Sequence, residues 1–437
     1  MKLSDLVIFN PKRPLKKGES AAFVEMAALP ENGRDINRVD EKIFTGGGSK
    51  FANKDTLFAR ITPCLENGKT SLVSGLSDGE VAFGSTEFIV LAAKEPEYDS
   101  DYIYYLSRLG EFRSFARSRM EGTSGRQRVA WQSLADYEYD FPDKRLRKFA
   151  GDVLKKFDDK ILLNHQINQT FEQMAQALFK SWFVDFEPVK AKMAVLEAGG
   201  SQADVTLAAM TAISRKDADA LAFFERKHPE QYAELKATAE LFPSVMQGHE
   251  LGEIPEGWQL NRLSNLAILH YGKALKKTER IEGPYPVYGS GGITGSHNNY
   301  LVEGPSIIVG RKGSIGTLYW EDGKFHPIDT VYFVEGKDEI PLTYLYYLMK
   351  TLNLSGMNTD AAVPGLNRDN VYRLEVLQPD KFILSLFDKH MSAIRNNIQK
   401  NDFSTVILSD LRDTLLPKLL SGEITLPEAE QIISEEA

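Results

Sequence analysis

With 437 residues, 42% of them hydrophobic, the chain is long enough to bury more than one core, and length alone sets a prior of two or three domains. A formal net charge of −9 at pH 7 excludes a protein that coats nucleic acid indiscriminately, because that mode needs an overall cationic field. The single cysteine, Cys64, excludes an intrachain disulfide and a cysteine-clustered zinc site; with no leader-like or bilayer-length apolar stretch, a soluble, cytoplasmic chain is expected.

Residues 1–143 read as mixed α/β, with short β-like runs, glycine-containing turns and an amphipathic helix over residues 101–120. The run Leu57-Phe58-Ala59-Arg60 ends on an arginine, and a second strand-like run is Glu87-Phe88-Ile89-Val90-Leu91. The helix carries Tyr102-Ile103-Tyr104-Tyr105-Leu106, and a Pro142-Asp143 boundary follows. Residues 144–189 form a helical stretch of roughly 40 residues, about 60 Å at ~1.5 Å per residue, far longer than an ordinary globular helix. Along it Phe157, Ile161, Asn164, Asn168, Phe171, Ala175, Leu178 and Trp182 recur at alternating steps of four and three, the heptad seam of helices that pack along their length.

Residues 190–250 are rich in Ala and Glu, broken at Gly199-Gly200-Ser201, with a helix-like run at 218–241, and read as an inserted helical connector. Residues 251–380 then repeat the first domain. Leu263-Ser264-Asn265-Leu266 echoes Leu3-Ser4-Asp5-Leu6, and Ile308-Val309-Gly310-Arg311 supplies the strand ending on arginine. Thr330-Val331-Tyr332-Phe333-Val334 and Tyr344-Leu345-Tyr346-Tyr347-Leu348 follow in the same order, before Pro379-Asp380. A second helical stretch, residues 381–425, places Ile394, Ile398, Asn401, Thr405, Leu408, Arg412, Leu415 and Leu419 on a like seam, with Pro417 expected to bend or fray its end. An acidic tail, 426–437, closes the chain. Asparagine on each seam would cost stability while fixing register. The expected fold is α+β: two globular domains separated by two long antiparallel coiled-coil-like helices, in a pseudo-twofold internal repeat.

No assembled active site is legible. Gly68-Lys69-Thr70 ends like a P-loop, but Pro63 stands where its first glycine belongs. Gly289-Ser290-Gly291-Gly292 could present backbone N–H groups to phosphate, and suits a tight turn between strands equally well. The seven histidines show no metal-ligand spacing. Binding chemistry is richer. The loop Gly122-Thr123-Ser124-Gly125-Arg126-Gln127-Arg128 carries two guanidinium groups and an amide, suited to base edges and phosphates. Its counterpart at 359–368 is less basic, as two readers of different sequences require. Arg108, Arg113, Arg117 and Arg119 add to the first basic group, and Lys273, Lys276, Lys277 and Arg280 form a second. A solvated helix face explains the arginines equally well, and packing into the core is the simpler role for Tyr104, Tyr105, Tyr346 and Tyr347.

Four strings resemble the specificity subunits of type I restriction-modification systems: Leu251-Gly252-Glu253-Ile254-Pro255-Glu256-Gly257-Trp258, the Tyr-Tyr-Leu segments, the Gly-Thr-x-Gly loop at 122–125, and Leu416-Pro417-Lys418-Leu419-Leu420-Ser421-Gly422-Glu423-Ile424. The resemblance covers nearly the whole chain, although the first domain lacks the Gly-Glu-Ile-Pro-x-Gly-Trp opening. It implies two target recognition domains (1–143 and 251–380) on an antiparallel helix pair, each reading one half of a bipartite duplex-DNA site. It also implies a chain with no catalytic site and no cofactor of its own. Two modification subunits would bring S-adenosylmethionine and methylate adenine, and restriction subunits docked through them would use ATP and Mg to cleave DNA. On this basis Arg60, Arg126, Gln127 and Arg128 are expected at base edges and Arg117 and Arg119 at phosphates, with Lys273, Lys276, Lys277, Arg311 and Lys312 as the contacts of the second domain. Phe179, Phe183 and Leu415 are candidates for the docking surface, or for helix ends tucked into the domains. A two-domain protein-binding scaffold, or an enzyme with a site near residues 289–292, are the alternatives.

Overall fold

Runs that are apolar at nearly every position belong to strands covered on both faces. In the computed structural model, which describes residues 1–123, 125–249, 252–358 and 364–424, Thr56–Ala59 and Phe88–Ala93 pair antiparallel at the centre of a four-stranded sheet. Val7–Phe9 and Thr70–Leu72 flank them. Alternate side chains divide between two cores. Phe58, Ile89 and Leu91 meet Tyr102, Ile103 and Leu106 of the helix Pro96–Arg108, whereas Leu57 and Val90 meet Val24, Phe51 and Ala82 of a second sheet. That second sheet runs Asp40–Ile43, Ser20–Val24, Ala82–Gly84, Ser49–Phe51, and its central pair is parallel.

Two units divide the chain, residues 1–167 with the chain from 400 on, and residues 168–399. The second unit repeats both sheets strand for strand. One is the all-antiparallel order Ala267–Tyr271, Val331–Gly336, Ser306–Gly310, Leu318–Glu321. The other is Gly292–His297, Tyr285–Gly289, Lys324–Pro327, Val302–Glu303, again with only its central pair parallel. Retention of the parallel pair marks the repeat as a duplicated fold and not a coincidence of short strings.

The helix expected at 101–120 is two helices, Pro96–Arg108 and Gly110–Ser118, because Leu109 adopts φ −57°, ψ 130° and leaves the helical region ahead of a poor helix former. Tyr102, Tyr104, Tyr105, Tyr344, Tyr346 and Tyr347 are all buried. Tyr102 donates to Leu420 O at 2.8 Å and Tyr105 to Asp158 Oδ2 at 2.7 Å.

The two Pro-Asp boundaries are helix caps. Asp143 Oδ1 accepts from the N–H groups of Arg145 and Leu146, and Asp380 Oδ1 accepts from that of Phe382. The first long helix, Lys144–Phe183, has 40 residues and stops short of the expected residue 189. Phe186 takes a left-handed conformation and Pro188, in the first turn of the next helix, has no N–H to continue the ladder. The second, Lys381–Ser421, has 41 residues and continues through Pro417; it ends at Gly422, φ +75°, before the expected residue 425. Residues 425–437, including the acidic tail, lie outside the described residues.

In the first unit the two helices run antiparallel. Asn164 Nδ2 donates to Asn401 O, Ser404 Oγ and Thr405 Oγ1 at 3.3–3.4 Å, while Asp158, nearer the start of its helix, binds Arg412 Nη1 at 2.6 Å. In the second unit the direction is again opposed, with Asn168 Nδ2 on Ile398 O at 3.4 Å and the Phe179 ring 5.9 Å from Phe387. Seam residues Phe157, Ile161, Phe171, Leu178, Ile394, Ile398, Asn401 and Leu408 are half-buried, as is Asn168, and Asn164 is buried.

The connector is four helices, Glu187–Glu197, Gln202–Ser214, Ala218–Lys227 and Pro229–Leu241, with a small core of Ala209, Met210, Leu221 and Ala239. It is not helical to residue 250. Pro243 ends the helices and a hairpin, Met246–His249 with Gly252–Pro255, takes over. Phe179 and Phe183 belong to the second unit's core with Trp182, Trp258, Tyr344 and Phe387, which removes them from any docking surface. Leu415 packs partly buried against the first unit's core.

Candidate nucleic-acid interface

Each strand that runs into an arginine, Thr56–Ala59 into Arg60 and Ser306–Gly310 into Arg311, delivers it to the place where a later loop docks. In the first unit Val129 N donates to Arg60 O at 3.0 Å and Thr62 N to Gln127 O at 3.1 Å. In the second, Leu366 N donates to Arg311 O at 2.8 Å and Gly313 N to Pro364 O at 3.0 Å. These bonds pair Arg60 with Arg311 and the loop at 122–128 with the loop before Gly365. Gly122 has φ +125°, and a Cβ there would stand 3.1 Å from Arg126 O, so the loop's closure requires glycine. Ser124 and residues 359–363 lie outside the described residues.

Arg60 lines a cleft of about 400 Å³ with Asn10, Lys12, Arg13 and Lys50, and its Nε is buried without a protein partner. Arg13, missed in the sequence, is held by both oxygens of Asp55 at 2.6 and 2.7 Å. Arg126 is exposed and Gln127 half-buried. Arg128 is gripped by Glu87, Nε and Nη2 lying 2.7–3.0 Å from its carboxylate, so its charge is already compensated. Arg117 and Arg119 are exposed on the helix leading into the loop; Arg117 touches Ser114 Oγ and Arg119 lies 5.1 Å from the Phe115 ring. Burial, with Arg108 and Arg117 nearby, lowers the Arg113 guanidinium to about 10, and that side chain donates to Thr70 Oγ1 as part of the fold.

Arg311 lines a smaller cleft of about 180 Å³ with Tyr271, Lys312, Tyr332 and Arg368. Its guanidinium lies 4.8 Å from the Tyr271 ring and 5.8 Å from Tyr332, and Nη1 donates to Asp329 O at 3.0 Å. Lys312 is exposed beside it, and Lys273 is exposed two residues beyond Tyr271. Lys276 pairs with Glu279 at 3.8 Å, and Lys277 begins the exposed turn Lys277–Glu279. Tyr271, Arg368 and Trp131 were not legible as candidates; aligning the two repeats through the docked loops is the signal that finds them. Residues 289–292 form a two-residue hairpin turn, Gly289 pairing with Gly292, and Ser290 O accepts from Thr317 Oγ1 at 2.6 Å.

Among the described residues no group of three or more His, Cys, Asp or Glu is placed to hold a metal ion, and no helix is long and apolar enough to cross a membrane.

Comparison with known proteins decides the family. The chain is 32% identical over 415 residues, 88% of its length and 89% of the relative's, to the type I restriction enzyme HindI specificity subunit of Haemophilus influenzae. The chain belongs to the type I restriction specificity subunits. The family profile described as type I restriction modification DNA specificity domain matches residues 255–402 of this specificity subunit. The MjaIX specificity subunit of Methanocaldococcus jannaschii is 23% identical over 357 residues, 75% of this chain and 70% of that one. The crystal structure of the S subunit from M. genitalium shares the fold, with a TM-score of 0.50 at 16% identity over 96% of this chain and 95% of that one.

Proposed function

We propose that this specificity subunit recognises a bipartite duplex-DNA site, residues 1–143 reading one half-site and residues 251–380 the other in the major groove. The observation that carries this is the duplication of a whole platform: two sheets, a docked loop and a strand-end arginine in the same place, surrounded by different side chains. Base-edge contacts specify and phosphate contacts position, so platforms of one topology and unlike surface suit half-sites of unlike sequence. Arg60, Arg126 and Gln127 supply contacts in the first domain, with Arg128 once released from Glu87 and with Arg117 and Arg119 toward phosphate. Lys273, Lys276, Lys277, Arg311 and Lys312 supply them in the second.

The long helices set the unread gap, near one DNA repeat of roughly 34 Å. The chain contributes no catalytic group and binds no cofactor itself. Methyl transfer to adenine from S-adenosylmethionine, and cleavage with ATP and Mg, belong to two modification subunits and the restriction subunits docked through them, in the cytoplasm. The test is selection from random duplex DNA by the full chain with its modification subunits, followed by sequencing of the bound pool. A split motif is expected. No enrichment would favour a protein scaffold instead, and turnover of nucleotide or methyl donor by the chain alone would refute the division of labour.

A further inference from the structure

Trp131 and Arg368 occupy one place in the duplicated fold. Each lies two residues after the N–H that binds the strand-end arginine, and each opens a five-residue helix, Trp131–Ala135 or Arg368–Tyr372. Each helix then leads to a carbonyl that accepts from the start of its own domain, Tyr137 O from Leu3 N and Leu374 O from Leu263 N, both at 2.8 Å. Leu134 and Val371, at the equivalent inward position, are fully buried. The backbone is the same; the side chain at this place is an exposed indole in one unit and, in the other, a half-buried guanidinium whose Nε is buried without a protein partner.

Both side chains are held. The Trp131 ring, 37% exposed, stacks on Phe9 at 5.7 Å with an interplanar angle of 26°. Arg368 lies 4.7 Å from the Tyr271 ring and 5.6 Å from Tyr372, and its Nη1 donates to Leu269 O at 3.4 Å. Tyr271 therefore serves Arg311 and Arg368 at once, and although Asp369 lines the same cleft, neither guanidinium forms an ion pair among the described residues. The sugar-phosphate backbone is the same at every half-site, whereas base edges differ. A residue type kept in both copies suits the first, and a place that changes from cation to indole suits the second.

We propose that Arg60, expected from the sequence at a base edge, instead holds a backbone phosphate as Arg311 does, that Arg368 reads a guanine edge, and that Trp131 makes the apolar base contact, to a thymine methyl, at the matching place of the other half-site. A planar guanidinium fixed by a ring and a carbonyl is preorganised for the O6/N7 pair of guanine, and an indole edge for the methyl. Tyr271 is a positioning residue.

This rests on the bipartite reading above, and the same selection separates the two. If the wild-type complex enriches no split motif, that reading fails; if it does, the variants judge this inference alone. Arg368→Ala is expected to lose a guanine preference at one position of one half-site, a loss of roughly 5- to 150-fold in discrimination, with the other half-site unchanged. Arg368→Lys, which keeps the charge without the planar fork, should weaken the same preference by less than Arg368→Ala does while binding random duplex as the wild type does. Trp131→Ala should relax one position of the opposite half-site. Tyr271→Leu should mimic Arg368→Ala, and Tyr271→Phe should restore the preference. Arg60→Ala and Arg311→Ala should weaken all sequences alike and reduce the salt slope by about 1 each. An unchanged base profile in Arg368→Ala and Trp131→Ala, whether or not affinity falls, overturns the assignment.

Discussion

Charged residues inside this protein are placed by partners, and the partners decide what a substitution costs. Asp158 is buried where Arg412 Nη1 binds Oδ1 at 2.6 Å and Tyr105 donates to Oδ2 at 2.7 Å. Arg412→Met removes the cation and leaves a buried carboxylate with only a phenol. A loss of about 3–5 kcal/mol is expected, read from guanidinium unfolding of the full chain. Replacing Asp158 and Arg412 together by apolar residues should cost far less. His390 makes the case for pH. Burial holds its imidazole below the ordinary value of 6.5, Lys389 acting with burial and Glu234 against it. The unfolded chain therefore binds a proton that the folded chain refuses, and stability falls as pH drops through the unfolded value toward the folded one. His326 is lowered too, by burial and by His297, Lys273 and Arg280, against a backbone contact at Lys273, and acts in the same direction. His390→Phe should flatten the fall in thermal midpoint below pH 6.5 without abolishing it; an unaltered slope would show that His390 is not responsible.

At the scale of the element, the long helices show what a periodic sequence determines. The four-three spacing located the inward stripe, and the caps at Asp143 and Asp380 follow from short side chains that accept backbone N–H groups. Polar seam residues tie the helices in register: Asn164 spans three acceptors across one turn of its neighbour. Asn164→Ala should lower unfolding free energy by about 1–2 kcal/mol, measured by chemical denaturation, while Asn397→Ala, exposed on the second helix, should change it little. The ends of the helices were less legible. Gly422 ends the second through a left-handed backbone conformation, and Phe186, left-handed three residues beyond the end of the first, begins the next helix; composition signals such a conformation for glycine and not for phenylalanine.

For the whole molecule, the proposal that the long helices, Lys144–Phe183 and Lys381–Ser421, set the unread gap makes their length the quantity to vary. Deleting one heptad from each removes roughly 10 Å at ~1.5 Å per residue, about three base pairs of DNA. Selection with the shortened chain and its modification subunits should return both half-sites unchanged around a shorter gap. The same gap as the wild type would sink the ruler.

The amino-acid sequence by itself determined the duplication, the two-domain order and the helical seam, because each rests on local periodicity or on strings short enough to recur whole. The strand-end arginines were legible for the same reason. Which side chains stand beside them was decided by tertiary structure alone. Arg60 and Val129, or Tyr271 and Arg368, meet only when the sheet brings a loop back across it. The same holds for Phe179 and Phe183, apolar on any helical wheel, whose burial depends on the domain that closes over them. Periodicity names the face of an element; contact between distant segments names its partner.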